Sequence, residues 1–334
     1  MQVPINALWT SKSGSVAAED VRPYLAPGVS LTVGLEPEAD TARYRSLTAL
    51  VAGRPSDRLL DAPALKHVIV PWAGVPAALR AQLLARPHLS LHNSHYNAPL
   101  VAQHALALVL ACACRLVEAD AHLRRGDWCP RYQRGFKSLA LPGKRALLLG
   151  YGAIGQEVGR GLKALGMTVT ALRRHSGEKS GEEGEVVERT FAPPQLHEAL
   201  KGADVIVASL PETAETKDLL DANAFAAIKE GAILVNVGRG SAVVQEALYE
   251  ALRGGRLFAA GLDVWWRYPE SEAARAATRP ADLPFWDLPN LIMSPHRANE
   301  MKDEHLLRYQ DVAETLAALA RGEPRNRVDP ARGY

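Results

Sequence analysis

Three glycines in the run Gly150-Tyr151-Gly152-Ala153-Ile154-Gly155 could hold a phosphate, because each answers a different steric demand. The first permits a tight turn, the second lets backbone amides approach an anion, and the third lets a following helix press against the preceding strand. Such a run is weak by itself, so its context carries the reading. The apolar segment Ala146-Leu147-Leu148-Leu149 precedes it directly, and Ile154, Val158, Leu162 and Leu165 then recur on one helical face before Gly166. A strand, a glycine turn and a helix N-terminus, with unpaired N–H groups and partial positive charge, make a site for a dinucleotide pyrophosphate.

After the next strand, the position that would carry a carboxylate against the ribose hydroxyls of NAD is Arg173, followed by Arg174. A carboxylate repels a 2′-phosphate, whereas a guanidinium can pair with it bidentately. The expected cofactor is therefore NADP(H), with NAD(H) as the alternative. Three further segments carry chemistry-bearing side chains: Asn236-Val237-Gly238-Arg239-Gly240, Gly261-Leu262-Asp263-Val264 and Ser294-Pro295-His296. The first and last follow predicted strands of a parallel sheet, and ligands in such folds sit at the carboxyl ends of strands.

These residues need two domains to position them, which is what 334 residues lead one to expect. The first hundred residues alternate short apolar runs (Ile5 to Trp9, Leu31 to Leu35, Thr48 to Ala52, Val68 to Val70, Leu89 to His92) with helix-like segments, the pattern of a parallel sheet flanked by helices. Pro99 opens an almost wholly apolar segment, Leu100 to Leu116, predicted as one long helix bridging the domains. A second series follows at Ala146 to Leu149, Thr168 to Leu172, Val205 to Ser209, Ile233 to Asn236, Leu257 to Leu262 and Leu291 to Ser294, the six parallel strands of a dinucleotide-binding sheet. The Gly/Glu-rich stretch Ser176 to Glu188 reads as a surface loop. Near the C-terminus Tyr309, Val312, Leu316 and Leu319 fall on one helical face. Since the second sheet is already complete, this helix is expected to return to the first domain. Residues 1–100 and 297–334 would form one domain and 101–296 the other.

Charge and cysteine usage exclude several partners. Lys and Arg total 39 against 37 Asp and Glu, too even a balance to suggest nucleic acid. Three cysteines build no disulfide framework, and no Cys or His cluster completes a metal site around Cys112 and Cys114. The N-terminus lacks the pattern of a signal peptide, and Ala105 to Cys114 is far short of the roughly 20 apolar residues that span a bilayer. A cytoplasmic protein without a membrane partner is expected.

Taken in order and spacing, the glycine loop, Leu210-Pro211-Glu212-Thr213 with Thr216, Asn236 to Gly240, Leu262-Asp263-Val264, and Trp286-Asp287-Leu288-Pro289-Asn290 leading to Pro295-His296 resemble the D-isomer-specific 2-hydroxyacid dehydrogenase family over most of the chain. The resemblance implies an α/β protein: a Rossmann dinucleotide-binding domain plus a discontinuous flavodoxin-like substrate domain, dimerising through the former. It implies that Arg239 binds the carboxylate of a 2-oxo acid and polarises its carbonyl, a role suited to a planar, permanently charged fork. His296 would exchange the proton, as an imidazole titrating near neutrality can. Leu210, Pro211, Thr216, Val237, Gly238 and Asp263 join the glycine loop as cofactor contacts. Ala73, Gly74 and Val75, after the strand ending at Val70, match the family's substrate-carboxylate loop, Asn97 matches an asparagine of the formate dehydrogenase branch, and Gln103 stands where many members have Glu.

One position breaks the pattern. The family pairs its catalytic histidine with a glutamate five residues after the motif aspartate, and here that residue is Tyr268; Glu270 could substitute through a local shift. A carboxylate raises an imidazole pKa, whereas a phenol orients the ring with little charge effect, so His296 is expected to titrate lower than usual. Two other readings follow from the missing glutamate: oxidation in the manner of the formate dehydrogenase branch, which needs no proton acceptor, and a cofactor-sensing binding protein like the family's corepressor branch. Trp265 and Trp266 could line a bulky substrate pocket or serve as core or subunit contacts.

Overall fold

In a computed structural model the chain divides into two units, residues 1–97 with 301–334 and residues 98–300. The structure describes residues 3–10, 16–39, 41–174, 186–323 and 325–332.

In the first unit β1 (Ile5–Thr10), β2 (Val29–Gly34), β3 (Ala49–Val51), β4 (His67–Val70) and β5 (Ser90–Asn93) lie in the order β5-β4-β3-β1-β2, all parallel. This is the flavodoxin-like order. The short strand Arg327–Val328 adds an antiparallel edge beside β5. Side chains of β1 alternate between two cores, as the period of a strand requires. Ile5, Ala7 and Trp9 face a cluster with Tyr309, Val312, Leu316 and Leu319, while Leu8 faces Leu50, Val68 and Leu91. The helix Glu304–Ala320 thus buries its apolar stripe on this sheet, with Trp9 and Tyr309 meeting edge-on at 5.8 Å.

The second unit is built on β6 (Arg145–Leu149), β7 (Thr168–Leu172), β8 (Val187–Phe191), β9 (Val205–Ala208), β10 (Ala232–Asn236), β11 (Leu257–Leu262) and β12 (Leu291–Met293), paired in the order β12-β11-β10-β9-β6-β7-β8 and parallel throughout. The central strands are apolar on both faces because both are covered. Leu147, Leu149, Ile206 and Leu234 pack on one side and Ala146, Leu148, Val205, Val207 and Ile233 on the other, the latter beneath Val101, Ala105, Leu108 and Val109 of the helix Ala98–Ala113. The order reverses between β6 and β9, which puts a ligand crevice at the carboxyl ends of those two strands.

Three sequence expectations are corrected. The sheet has seven strands rather than six, because Val187–Phe191 joins the edge beyond β7. Only Val187 and Phe191 of that strand are buried, while Glu188 and Arg189 are exposed, so its charged interior reads as loop. Of the surface loop expected over Ser176 to Glu188, residues 176–185 lie outside the described residues, and its last two belong to β8. The long apolar helix ends at Ala113: Arg115 turns left-handed at φ 51°, and a separate helix runs Leu116–Leu123. Arg115 is fixed by a bidentate pair with Glu118 at 3.0 Å to each oxygen and by stacking on Phe136 at 4.0 Å, tertiary contacts invisible in an apolar run.

Candidate active site

The glycine loop leaves β6 at Gly150, whose φ of +94° suits a residue without a Cβ. A Cβ on Gly155 would lie 2.3 Å from the Gly150 carbonyl, so only glycine lets the helix Ala153–Ala164 start this close to the strand. Gly152 behaves oppositely: no atom lies within 4 Å of where its Cβ would be, and as N-cap it offers no side chain to the first amides of the helix. A bare loop facing open space before uncapped amides fits a dinucleotide pyrophosphate. Tyr151 is buried, Ala153 and Ile154 partly so.

At the end of β7, Arg173 donates its backbone N–H to Phe191, and Arg174 pairs with Glu215 at 3.1 Å. Glu215 rides on the turn after β9, which carries Leu210, Pro211 and Thr216. That turn is self-bonded: Thr216 Oγ1 donates to the Pro211 carbonyl at 2.6 Å and accepts the Thr213 N–H at 2.9 Å.

Two glycines lock the neighbouring loops together. A Cβ on Gly238 would come within 2.7 Å of the Leu210 backbone, and one on Gly240 within 2.3 Å of the Trp265 carbonyl. Buried Asn236 braces the same turn, accepting from Gly238 N–H and donating to the Arg239 carbonyl, both at 3.0 Å. Between these fixed points stands Arg239, half-buried, its Nη1 on the Gly238 carbonyl at 2.7 Å.

The third loop carries His296, whose backbone is left-handed at φ 53°. A non-glycine residue there costs about 1 kcal/mol or more and persists only where its surroundings impose it. Asp263 imposes it. Expected among the cofactor contacts, its carboxylate is instead 1% exposed and commits both oxygens to this loop: Ser294 Oγ at 2.5 Å, Arg297 N–H at 2.9 Å and Ala298 N–H at 3.0 Å. His104 completes the network from the helix Ala98–Ala113, its Nε2 lying 3.1 Å from Ser294 Oγ and 3.4 Å from Asp263. Trp265 Nε1 donates to the Ser294 carbonyl at 2.8 Å, while Trp266 donates to Val243 and stacks on Phe285 at 5.2 Å. Both tryptophans therefore pack against and brace these loops.

Tyr268, not Glu270, meets the histidine. Its Oη is 2.8 Å from His296 Nδ1 and accepts the Trp265 N–H at 3.2 Å. Loss of water around His296 depresses its pKa below the ordinary imidazole value; the Asp263 carboxylate opposes this and the Arg239 charge adds to it. Tyr268 is raised, by burial first, against the Trp265 N–H and Arg239, which lower it.

The remaining candidates, Gln103 apart, belong to the first unit. Ala73, Gly74 and Val75 form the turn after β4, where Asn93 Nδ2 holds the Ala73 carbonyl at 2.7 Å, and Asn97 follows β5 with its Oδ1 buried. Gln103 is exposed on its helix. The sequence reading missed His104 and Ser294 as partners of Asp263; a lone histidine on an apolar helix was the one available signal.

The family model for the D-isomer specific 2-hydroxyacid dehydrogenase NAD-binding domain matches residues 106–298. The chain belongs to the D-isomer-specific 2-hydroxyacid dehydrogenases. Among its relatives are a D-3-phosphoglycerate dehydrogenase of Archaeoglobus fulgidus, 34% identical over 70% of this chain and 41% of that protein, and a glyoxylate reductase of Korarchaeum cryptofilum, 34% identical over 68% and 65%. It spans half or less of the phosphoglycerate dehydrogenases it matches, 50% for that of Mycobacterium tuberculosis. A D-isomer specific 2-hydroxyacid dehydrogenase from Xanthobacter autotrophicus, solved with NADPH and MES, superposes with a TM-score of 0.76 at 26% identity, covering 99% of this chain and all of that one. Among the described residues no single helix is long and apolar enough to cross a membrane.

In this family member Tyr268→Glu should raise the His296 pKa, since a carboxylate stabilises imidazolium while a phenol does not. In the wild type the imidazolium proton is lost at lower pH, and the variant keeps it to higher pH. NMR titration of the His296 ring protons checks this; coincident curves contradict it.

Proposed function

We propose that the chain is an NADP(H)-preferring oxidoreductase that interconverts a 2-oxo acid and a D-2-hydroxy acid. The observation that carries the reading is the convergence, within one unit, of a fixed arginine and a histidine beside the crevice of a dinucleotide loop. Gly150, Gly152 and Gly155 with the first helical amides would hold the pyrophosphate, and the turns at Leu210, Pro211, Thr216, Val237 and Gly238 would line the nicotinamide end. When bound, the cofactor supplies or accepts a hydride. Arg239 fixes the substrate carboxylate and polarises the carbonyl, so that negative charge growing on the carbonyl oxygen falls beside a permanent cation. His296 hands that oxygen a proton in reduction and takes it back in oxidation. Arg173 and Arg174 support a 2′-phosphate partner, as does the NADPH bound by the Xanthobacter relative. The apolar helix Ala98–Ala113, with Leu110 exposed at its surface, supports a homodimer.

The test is a panel of 2-oxo acids, glyoxylate first, with NADPH and NADH followed at the nicotinamide absorbance. Higher kcat/KM with NADPH is expected, and Arg239→Ala should lower both affinity and turnover. A strong NADH preference would sink the cofactor assignment, and full activity of the variant would sink the role of Arg239.

A further inference from the structure

We propose that reduction draws its proton from Tyr268, passed through the imidazole of His296. The proposal rests on the function proposed above and on the two partners of one phenol. Tyr268 Oη accepts the Trp265 N–H at 3.2 Å, a backbone donor that cannot reverse. In the proposed arrangement its own hydrogen goes to His296 Nδ1, 2.8 Å away. Neutral His296 then carries its proton on Nε2. A carboxylate in place of Tyr268 could only accept, forcing the proton of the neutral ring onto Nδ1 and leaving Nε2 bare. A phenol thus turns the resting imidazole round: it presents an N–H to the substrate while uncharged.

The transfer balances in three linked movements. Hydride arrival at the carbonyl carbon leaves the former π pair on oxygen as an alkoxide. The Nε2–H bond breaks toward that oxygen while Nδ1 takes the proton from Tyr268 Oη, so the ring ends neutral with its proton on Nδ1. The O–H pair stays on Tyr268 as phenolate, which recovers a proton from water; the residue is 45% exposed and solvent reaches it. Without the phenol, a neutral ring could donate only by becoming imidazolate. With it, the charge rests on a weaker base than the alkoxide, beside the Trp265 N–H and the Arg239 cation. The charged groups facing the pair are Arg239 after β10, Asp263 after β11 and Glu212 after β9, with His104 behind Asp263.

Two readouts test this. In the cofactor-free full chain, ¹⁵N NMR should find neutral His296 protonated on Nε2; protonation on Nδ1 overturns the relay. In steady-state reduction of glyoxylate by NADPH, wild-type kcat/KM should stay level through the NMR titration of His296, whereas Tyr268→Phe should fall about tenfold per pH unit above it. Incorporating 3,5-difluorotyrosine at position 268 keeps the ring and acidifies the phenol, and should move the alkaline limb of the wild type to lower pH. A wild-type profile that falls with His296, as in Tyr268→Phe, overturns the relay alone. Absence of turnover with every 2-oxo acid overturns the proposed function instead, a failure visible before any variant is made.

Discussion

Replacing His296 with alanine should lower kcat for 2-oxo acid reduction by roughly 10²- to 10⁴-fold, the usual contribution of a well-placed acid. Binding of NADPH, followed by its fluorescence, should survive, because the glycine loop and the helix it opens make no contact with this side chain among the bonds described for them. The pairing of a large loss in turnover with intact cofactor binding separates a chemical role from a folding defect. Unchanged turnover would remove His296 from the reaction, and lost cofactor binding would assign it a structural role.

Asp263→Asn should have the second largest effect, for a different reason. The carboxylate accepts from one hydroxyl and two backbone amides while almost wholly buried. An amide in its place turns one acceptor into a donor and confronts an existing donor, at a cost of about 1–3 kcal/mol for the group left unsatisfied. The loop 294–298 would relax, and displacement of His296 by about 1 Å is enough for a loss on the order of 10²-fold. Denaturant unfolding should report the stability change, and kcat/KM the loss of alignment. Serial failure of both, with wild-type stability and rate, would show that the loop holds its geometry without this anchor.

What could be read from the sequence was whatever depends on close spacing. Gly150 to Gly155 sits between its own strand and its own helix, so six consecutive residues carry the steric argument. Tyr309, Val312, Leu316 and Leu319 announce a buried stripe by period alone, and the structure buries all four. The charged strand Val187–Phe191 escaped because an edge strand needs few apolar side chains, and the helix break at Arg115 because no glycine or proline marks it. Within the site, Arg239, Tyr268 and His296 were found by motif, but the network of His104, Asp263 and Ser294 joins residues 190 positions apart, and no local pattern reports such a junction. Asp263 illustrates the difference: its type and position suggested a contact with ligand, and its burial makes it an anchor for backbone.

The left-handed backbone of His296 also bears on how this protein could be engineered. In a library of all twenty residues at position 296, glycine and asparagine tolerate φ near 53° best, while valine, isoleucine and threonine meet their own backbone. Thermal ranking of that library should therefore run opposite to its activity ranking at the top: His296→Gly should melt above the wild type and turn over least. A screen for heat resistance alone would select against the proposed turnover, and any stabilised version must gain its margin elsewhere in the fold.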